Sequence, residues 1–339
     1  MGTLRSINGK TILITGGTGS FGKKMVEYLL TKLKPKKVIV FSRDEWKQWE
    51  MKRSHPIFNH PDLRYFIGDV RDLQRLQRAF QGVDYVIHTA ALKQVPAAEY
   101  NPSEFVKTNV LGAMNIIEAS INEGVKKVIA LSTDKACSPI NLYGATKLCA
   151  DKLFVNGNAY VGDKGYPVFS AVRYGNVIGS RGSIVSRWLQ EVEEGAKTLS
   201  ITDERMTRFW ITLDHAVEFV LRSITLARGG EIFVPKIPSM KIIDLAKAIA
   251  PKLDYEILGI REGEKLHEMM VGVEDARHSR EFKDYFMIIP EAYSHDAEHR
   301  HLFLKNRKGK KLPEGFAYTS DTNSQWMTVK DIRRVIKGL

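Results

Sequence analysis

Two short runs of residues carry the chemistry that this sequence offers. The first is Thr133-Asp134-Lys135, and the second begins eight residues later at Tyr143 and includes Lys147. Because Tyr143 and Lys147 are four residues apart, they would share one face of a helix, where an ammonium group favours a phenolate that accepts a hydroxyl proton. Asp134 and Lys135 add a second acid and base, which an elimination requires. The combination predicts a dehydratase with an internal redox step.

A glycine-rich run follows the first predicted strand directly and opens the first predicted helix. Three of its glycines have Gly-x-x-Gly-x-x-Gly spacing. The residues of this run that we assign to cofactor binding are Gly16, Thr18, Gly19, Ser20, Phe21 and Gly22. Backbone amides can meet a pyrophosphate there, at the positive end of the helix. A structural turn also uses glycines, but the strand-loop-helix context favours dinucleotide binding.

The end of the second predicted strand bears on which dinucleotide binds. About twenty residues after the glycine run the chain reads Ser42-Arg43-Asp44. At this place an acid holds the ribose hydroxyls of NAD, whereas an arginine accommodates the extra phosphate of NADP. We predict NADP from Arg43, although Asp44 could turn inward and serve NAD. After the third strand, Asp69 and Val70 are expected at the adenine edge, where an aspartate is also a common turn former.

Strands alternate with helical patterns through the first half of the chain. The predicted strands are Thr11–Thr15, Lys37–Phe41, Leu63–Ile67, Tyr85–His88, Val128–Ser132 and Val168–Arg173. This alternation predicts an α/β fold, a Rossmann-like doubly wound parallel sheet. A helical pattern covers residues 103–122, and Asp134 lies just beyond a strand's carboxyl end, where such sheets build their sites.

The second half has a looser pattern, which we interpret as a smaller substrate-binding lobe. The predicted division is a dinucleotide-binding domain over residues 1–175, to which a segment near 205–236 returns, and a lobe over residues 176–339. Within the lobe, the pattern predicts a helix over 240–249 and a strand over 255–259.

Composition and charge limit the class of protein. The chain has 339 residues, 43% of them hydrophobic, which is ample for a packed core. Its net charge of +12 is partly concentrated in residues 305–311, where five of seven are basic. Because no aromatic-basic interleaving accompanies this charge, we interpret it as a surface that attracts anionic substrates and expect no nucleic-acid partner.

Three further features indicate a cytoplasmic protein. Cys137 and Cys149 make no disulfide framework, and the first ten residues lack the apolar core of a signal peptide. No apolar run approaches the roughly 20 residues needed to cross a bilayer, so we expect no integral membrane association.

Several runs resemble one enzyme family. The glycine run, Asn109, and Tyr143 with Lys147 resemble the extended short-chain dehydrogenase/reductases. The resemblance is closer to the inverting UDP-N-acetylglucosamine 4,6-dehydratases of pseudaminic acid and related surface-glycan pathways, and it rests on STDKA at 132–136, ATKL at 145–148, RYGNV at 173–177, MTRF at 206–209 and REGEKLH at 261–267. It extends from about residue 8 to at least residue 270. Retaining sugar-nucleotide dehydratases carry Glu where this chain has Lys135, which selects the inverting group.

The resemblance implies a reaction at a UDP-sugar without net redox change. Tyr143 would take the C4 hydroxyl proton, assisted by Thr133, if Lys147 and the nicotinamide lower its pKa from about 10. Lys135 would remove the C5 proton, which requires a neutral amine and thus a pKa lowered from about 10.4. A protonated Asp134 would donate to the leaving C6 hydroxyl. Reprotonation of C5 from the opposite face would invert that centre.

The resemblance also implies the ligand-binding residues. Besides the glycine run, those for a tightly bound NADP, regenerated in each turnover, are Ser42, Arg43, Asp44, Lys47, Asp69, Val70, Ala90, Ala91, Lys93, Asn109, Tyr143, Lys147 and Val177. Those for UDP-N-acetylglucosamine are Lys93, Thr133, Asn176, Val185, Thr202, Arg208, Arg261 and Glu264. Arg208 and Arg261 are the expected partners of the diphosphate. No metal ion is expected.

Two alternatives stay open. A UDP-hexose 4-epimerase would keep Tyr143 and Lys147 but has no need of an Asp-Lys elimination pair. A protein without catalytic activity could instead sense a dinucleotide and bind nucleic acid through its basic surface. In either case the family resemblance implies self-association, as a dimer or a hexamer.

Overall fold

A computed structural model of the chain describes residues 2–162, 165–290, 304 and 307–338. The first two residues of the basic stretch at 305–311 therefore lie outside the described residues.

Strands and helices alternate as predicted in the first half and become shorter in the second. The strands are β1 (Thr11–Thr15), β2 (Lys37–Ser42), β3 (Leu63–Ile67), β4 (Tyr85–His88), β5 (Lys127–Thr133), β6 (Val168–Tyr174), β7 (Asn176–Val177), β8 (Thr198–Ile201), β9 (Thr207–Ile211), β10 (Ile232–Pro235), β11 (Ser239–Lys241), β12 (Asp254–Ile257), β13 (Met269–Val271), β14 (Ser279–Glu281), β15 (Tyr285–Ile288), β16 (Lys310–Lys311) and β17 (Tyr318–Thr319). The α-helices are α1 (Ser20–Lys32), α2 (Glu45–Ser54), α3 (Leu73–Phe80), α4 (Val95–Tyr100), α5 (Pro102–Phe105), α6 (Gly112–Asn122), α7 (Leu142–Asn156), α8 (Ile184–Glu193), α9 (Leu213–Leu226), α10 (Ile242–Ile249), α11 (Val273–Arg277) and α12 (Val329–Ile336).

The main sheet positions the site. In the described part of the chain it has ten strands, in the order β16-β14-β15-β10-β6-β5-β4-β1-β2-β3. The strands from β10 to β3 are parallel, and β15, β14 and β16 extend one edge in antiparallel pairing. The predicted α/β Rossmann-like class is confirmed, and the six predicted strands lie within one residue of the observed bounds. Every residue of β1 is buried, as expected of a central parallel strand covered by helices on both faces.

The order of the strands reverses between β1 and β4, and this is the switch point where doubly wound sheets open a crevice. Beside it, the predicted helix at 103–122 is not one regular helix. A π-helical segment, Val106–Leu111, joins α5 to α6. Such segments insert an extra residue into a turn and are frequent at functional sites. Periodicity alone could not distinguish it from a regular helix.

The predicted division at residue 175 needs correction, because the second half contributes more to the main sheet than one returning segment. That segment, near 205–236, supplies α9 and β10, but β14 and β15 also pair within the main sheet. The lobe proper contains three small sheets, β11-β9-β7, β12-β8 and β13-β17. Its apolar core is built around the fully buried Trp188.

Two element boundaries within the lobe also differ from the predictions. The helix predicted over 240–249 begins at Ile242, because Met240 and Lys241 pair with β9 as part of β11. The strand predicted over 255–259 is β12, whose pairing with β8 ends at Ile257. In both cases a neighbouring strand, which a local pattern does not contain, determines the boundary.

Within the described residues, no helix has both the length and the apolar character needed to span a bilayer.

Arg173 joins the lobe to the sheet from within the core. It lies in β6 and is 2% exposed. One guanidinium nitrogen, Nη1, donates to the Met270 carbonyl at 3.0 Å and to Asp275 Oδ2 at 2.8 Å. The other, Nη2, is 3.4 Å from Oδ2 of Asp151 in α7, a carboxylate that also accepts from Ser132 Oγ at 2.7 Å. A single buried cation therefore connects the sheet, α7 and the lobe.

Replacing Arg173 by methionine is expected to lower the free energy of unfolding by about 3–5 kcal/mol, because it leaves Asp151 buried without its cation. Urea unfolding followed by circular dichroism measures this difference. The matched control is Arg205→Met, since Arg205 is 69% exposed in its pair with Asp203 and its loss should cost about 0–1 kcal/mol. Equal losses in the two variants would contradict a central role for the buried pair.

Candidate active site

Helix α7 begins beside the turn that follows β5, at the crevice. Asn141 caps the helix, since its Oδ1 accepts from the Gly144 amide at 2.8 Å. Gly144 packs tightly, because a Cβ there would lie 2.3 Å from the Lys135 carbonyl oxygen. The start of α7 is therefore pressed against the turn that follows β5, and the two runs identified from the sequence lie side by side.

The structure places both Tyr143 and Lys147 on the buried side of α7, with 8% and 5% exposure. Lys147 Nζ donates to the Leu131 carbonyl at 2.7 Å. Burial raises the pKa of Tyr143 to about 12, against the opposing effects of Lys135 and Thr133. Burial also lowers the pKa of Lys147. Desolvation of the phenolate outweighs the nearby cation Lys135, and a Tyr143 pKa lowered by Lys147 and the nicotinamide together stays a prediction.

Asp134 and Lys135 form an ion pair with a third residue, Glu268. Asp134 is fully buried, and its Oδ1 accepts from Lys135 Nζ at 3.1 Å and from Thr133 Oγ1 at 2.9 Å. Lys135 Nζ also lies 3.1 Å from Glu268 Oε1. Among the described residues, neither Asp134 Oδ2 nor Glu268 Oε2 has a hydrogen-bond partner, although both are buried. The turn after β5 therefore contacts a buried carboxylate of the lobe.

The surroundings of this pair raise the pKa of both of its members. Burial raises the pKa of Asp134, the direction that a protonated acid requires. Burial by itself would lower the pKa of Lys135, but the carboxylates of Asp134 and Glu268 outweigh it and raise that pKa. The prediction that Lys135 acts as a neutral amine considered burial, Lys147 and the oxidised cofactor but not Glu268, and it stays a prediction.

The glycine run fits a dinucleotide. Gly16 has a φ of +65°, and a Cβ there would lie 2.9 Å from Thr89 Oγ1. A Cβ on Gly22 would lie 2.5 Å from the Gly17 backbone. Helix α1 starts after Gly19, and no side chain in the described residues caps it, so its first amides face the crevice. A loop without side-chain bulk before a helix start suits a pyrophosphate.

The residues at and after the end of β2 differ in the contacts and exposure of their side chains, which bears on whether they could bind a ribose. The Asp44 carboxylate caps α2, accepting from the Lys47 amide at 3.1 Å, and pairs with Lys47 Nζ at 2.9 Å. Ser42 is buried, and its Oγ accepts from Gln48 Nε2 at 3.0 Å. The Arg43 side chain is 52% exposed and 3.8 Å from Asp69 Oδ2. Asp44 is thus engaged within its helix, whereas Arg43 remains accessible.

The structure places the pair predicted at the adenine edge close to Arg43. Asp69 accepts from Arg71 Nη2 at 2.7 Å, and although burial opposes it, Arg71 lowers the pKa of Asp69. Val70 is buried against Gly112 of α6. Asp69 therefore lies at the crevice, while Val70 packs behind it.

Asn109 shapes the loop after β4, which contains Ala90, Ala91 and Lys93. Its Oδ1 accepts from the Leu92 amide and its Nδ2 donates to the Leu92 carbonyl, both at 2.9 Å. This buried side chain belongs to the π-helical segment. In this structure it positions the loop rather than facing the crevice.

A segment after β7 crosses the crevice close to the glycine run. The Arg181 amide donates to Ser20 Oγ at 3.0 Å, and Lys93 Nζ donates to the Arg181 carbonyl at 3.2 Å. Ser20 and Lys93, both predicted to bind ligands, therefore contact one peptide segment from opposite sides.

Of the predicted substrate residues in the lobe, Arg208 requires a correction. Its guanidinium donates to the carbonyls of Thr207, Leu266 and Lys265 at 2.7, 3.1 and 2.9 Å, and the side chain is 9% exposed. Its Nε is 3.8 Å from Glu268 Oε1. In the described structure this arginine supports Glu268 and does not present its donors to a diphosphate.

The remaining predicted substrate residues are unequally placed. Asn176 forms the half-buried β7 with the predicted cofactor residue Val177, and Thr202 is half-buried after β8. Val185 is completely buried in the lobe core, so the structure does not bring it to the crevice. Arg261 is exposed, and Glu264 has a buried Oε2 without a partner among the described residues.

Sequence reasoning missed Glu268, Asp151 and Gln48. Glu268 directly follows the run at 261–267 that supported the family resemblance, and this adjacency was the available signal. Asp151 lies one helical turn after Lys147, whose pKa its carboxylate raises against the effect of burial. Gln48 gave no signal, since its contacts with Ser42 and the Phe66 carbonyl depend on the sheet.

This arrangement of strands and glycine run agrees with comparisons with known proteins. A profile of the family described as polysaccharide biosynthesis protein matches residues 12–290. The chain belongs to this family. The UDP-N-acetylglucosamine 4,6-dehydratase (inverting) of Campylobacter jejuni subsp. jejuni serotype O:2 is 54% identical over 330 residues, which are 97% of this chain and 98% of that protein. The predicted resemblance to inverting dehydratases of the extended short-chain dehydrogenase/reductase type is thereby confirmed.

Two further proteins show how far the similarity to this chain extends. The UDP-glucose 4-epimerase of Rickettsia massiliae is 39% identical, with 97% of this chain and 96% of that protein covered. The X-ray structure of Pen from Bacillus thuringiensis superimposes with a TM-score of 0.86 at 34% identity, and 98% of each chain is covered. The two chains therefore share the fold over nearly their whole lengths.

Replacing Gly22 by alanine is expected to lower both the melting temperature and the dinucleotide affinity, because the new Cβ would push α1 away from the Gly17 backbone. An overpacking cost of about 1–3 kcal/mol is expected. Differential scanning calorimetry and titration calorimetry with NADP measure the two effects. In Gly19→Ala the Cβ would meet the Gly16 carbonyl oxygen at 3.3 Å, so the melting temperature should fall less. A Gly22 variant as stable as wild type would refute the tight packing.

Proposed function

We propose that this protein is an NADP-dependent UDP-N-acetylglucosamine 4,6-dehydratase that inverts C5. The observation that carries the proposal is the position of the Asp134–Lys135 pair beside Tyr143 and Lys147 at the end of β5. The Campylobacter relative supports both the substrate and the stereochemistry, and the family description supports a product used in surface-glycan synthesis, such as that of pseudaminic acid. The predicted class of enzyme, a sugar-nucleotide hydro-lyase, agrees with that relative.

The cofactor is proposed to lie along the switch-point crevice, with its pyrophosphate on the glycine run. Held by the residues of that run, a nicotinamide dinucleotide would supply a reversible hydride acceptor, which an internal redox step requires. Arg43 is accessible for the extra phosphate of NADP, whereas the Asp44 carboxylate is engaged in capping α2. This contrast favours NADP over NAD.

Tyr143 is the proposed base for the C4 hydroxyl, and Thr133 shares that hydrogen bond. Without ligands its pKa is raised by burial, so the phenolate must be stabilised by the positive charges of the assembled site. Lys147 lies one helical turn after Tyr143 and donates to the Leu131 carbonyl, and Asp151 opposes the lowering of the lysine pKa by burial. Ionisation of the tyrosine is therefore proposed to accompany the binding of substrate and cofactor.

One proton transfer prepares the elimination. At rest Lys135 is an ammonium 3.1 Å from Asp134 Oδ1. If the proton moves along this hydrogen bond, the ion pair becomes a neutral amine beside a neutral carboxylic acid. These are the states in which Lys135 accepts the C5 proton and Asp134 protonates the leaving C6 oxygen as water. The proton accepted by Lys135 then returns to C5 on the opposite face. The proton that Tyr143 took from the C4 hydroxyl replaces the one that Asp134 gave to water, so atoms and charge balance over the cycle.

A UDP-hexose 4-epimerase is the second candidate, because the Rickettsia relative with that name is 39% identical over nearly the whole chain. Epimerisation uses the tyrosine and lysine of α7 but needs no elimination. The buried pair after β5 therefore favours dehydration. Self-association as a dimer or hexamer is proposed from the family resemblance alone.

Incubation with UDP-N-acetylglucosamine and NADP is expected to give a product lighter by one water, with a new C6 methyl signal in the proton NMR spectrum. Lys135→Met and Asp134→Asn should lose roughly 10²- to 10⁴-fold in rate, the contribution typical of a general base or acid. The matched control is Lys152→Met, since Lys152 is exposed on α7. A C4 epimer without a methyl signal would replace this proposal with the epimerase.

Arg43→Ala is expected to weaken NADP binding by roughly 10- to 100-fold and NAD binding by much less, because it removes a charged partner of the extra phosphate worth about 1.5–3 kcal/mol. Titration calorimetry with both dinucleotides gives the ratio. Arg53→Ala is the control, since Arg53 is exposed at the end of α2 and stacks on Trp49. An unchanged preference would contradict the role of Arg43.

A further inference from the structure

Glu268 reaches the reacting pair from the lobe. It lies immediately before β13 and is 2% exposed. Its Oε1 is 3.1 Å from Lys135 Nζ and 3.8 Å from Arg208 Nε. Its Oε2 is buried and has no partner in the part of the chain that the structure describes. A carboxylate removed from water with half of its acceptors unused is costly unless the cations beside it compensate, so this one needs an explanation.

The backbone around Glu268 is fixed on both sides. Its amide donates to Ser320 Oγ at 2.9 Å, and its carbonyl accepts from the Ser320 amide at 2.8 Å. Ser320 Oγ is also 2.7 Å from Thr207 Oγ1 of β9. The Glu268 backbone is therefore tied to Ser320, which follows β17, and through its hydroxyl to β9.

Glu268 is the carboxylate that can balance the positive charge of Lys135 when Asp134 is protonated. The titratable groups that face the Lys135 amine or its two carboxylates are Asp134, Glu268, Arg208, Lys93, Lys265 and Tyr143. Asp134 compensates the Lys135 charge only while it is ionised, yet the elimination needs it protonated. Glu268 is the second carboxylate in contact with the amine, and Lys135 and Arg208 lower its pKa although burial opposes them. With both cations in place, Glu268 is therefore the ionised carboxylate that the amine retains besides Asp134.

We propose that Glu268 is a positioning residue for the Asp134–Lys135 pair: its carboxylate holds the Lys135 amine within reach of Asp134 and sets the pH range in which the pair retains its shared proton. This inference rests on the proposed dehydratase function. Glu268 acts on the reaction through the Lys135 amine, which it contacts, and is assigned no contact with the sugar.

The direction of the effect follows from the charges. The active pair carries one proton between the amine and the carboxylate. A negative charge 3.1 Å from the amine opposes loss of that proton at high pH and favours a second proton at low pH. Glu268 therefore raises the pKa of both Lys135 and Asp134, and removing its charge lowers both.

The decisive experiment is the pH dependence of kcat for dehydration of UDP-N-acetylglucosamine in wild type and Glu268→Gln. The glutamine keeps the shape but not the charge. Both limbs of the profile are expected to move to lower pH by about one unit or more. Glu268→Asp retains the charge but places it farther from the Lys135 amine. Its pH limbs should therefore stay near those of wild type, while its kcat should be lower. Limbs that coincide in wild type and Glu268→Gln would overturn the inference.

A matched control separates this effect from the general cost of altering a buried carboxylate. Glu231→Gln removes the charge of a fully buried glutamate that pairs with Arg307 at the opposite, amino-terminal edge of the parallel strands. This variant is expected to lose stability but to keep the wild-type pH limbs. A shift in this control equal to that of Glu268→Gln would also count against the proposal.

A second measurement needs no activity. In urea unfolding, Glu268→Gln should destabilise wild type more than it destabilises Lys135→Met, because the two residues are coupled only when both are charged. Absence of this coupling overturns the proposed contact. If wild type releases no water from the substrate, the dehydratase function fails, while this double-mutant cycle still reports on the Glu268–Lys135 contact.

Discussion

The rest of the site depends on the interaction of one amine with two buried carboxylates. Lys135 lies 3.1 Å from both Asp134 and Glu268, and the two carboxylates have almost no access to water. Removing such charges from water is tolerated only when each faces an opposite charge in good geometry. The turn after β5 must therefore meet the start of β13, although about 130 residues separate them in the sequence. The pairing of Lys135 with these two carboxylates therefore links the proposed chemistry to the contact between the lobe and the sheet.

The same constraint applies behind the reacting groups. Arg173 of β6 neutralises Asp151 of α7 and also holds the lobe through the Met270 carbonyl. Asp151 in turn opposes the lowering of the Lys147 pKa by burial. The parallel sheet supplies rigid strand ends, and these buried ion pairs fix α7 and the lobe relative to them. A pocket that excludes water strengthens every charge interaction within it, which is what transient oxidation and elimination require.

Local patterns predicted the parts of the fold in which each residue's neighbours are close in sequence. The six parallel strands and the glycine run follow from apolar periodicity and from backbone positions such as Gly16, with its positive φ. Predictions failed where a distant segment decides the outcome. Met240 looked helical, but it pairs with β9. Arg208 matched a substrate-binding position, yet neighbouring carbonyls occupy its donors.

By itself the sequence determined the family, the positions of the parallel strands along the chain and the residue types in the reacting set, because motifs and the spacing along a strand or helix are local features. Only the tertiary structure decided their protonation. The pKa of Lys135 is raised by Asp134 beside it and by Glu268 from the lobe. The pKa of Tyr143 is raised by its burial in a cluster with Ala98 and Phe105. A pKa responds to everything within a few ångströms, and those neighbours come from parts of the chain that no local pattern connects.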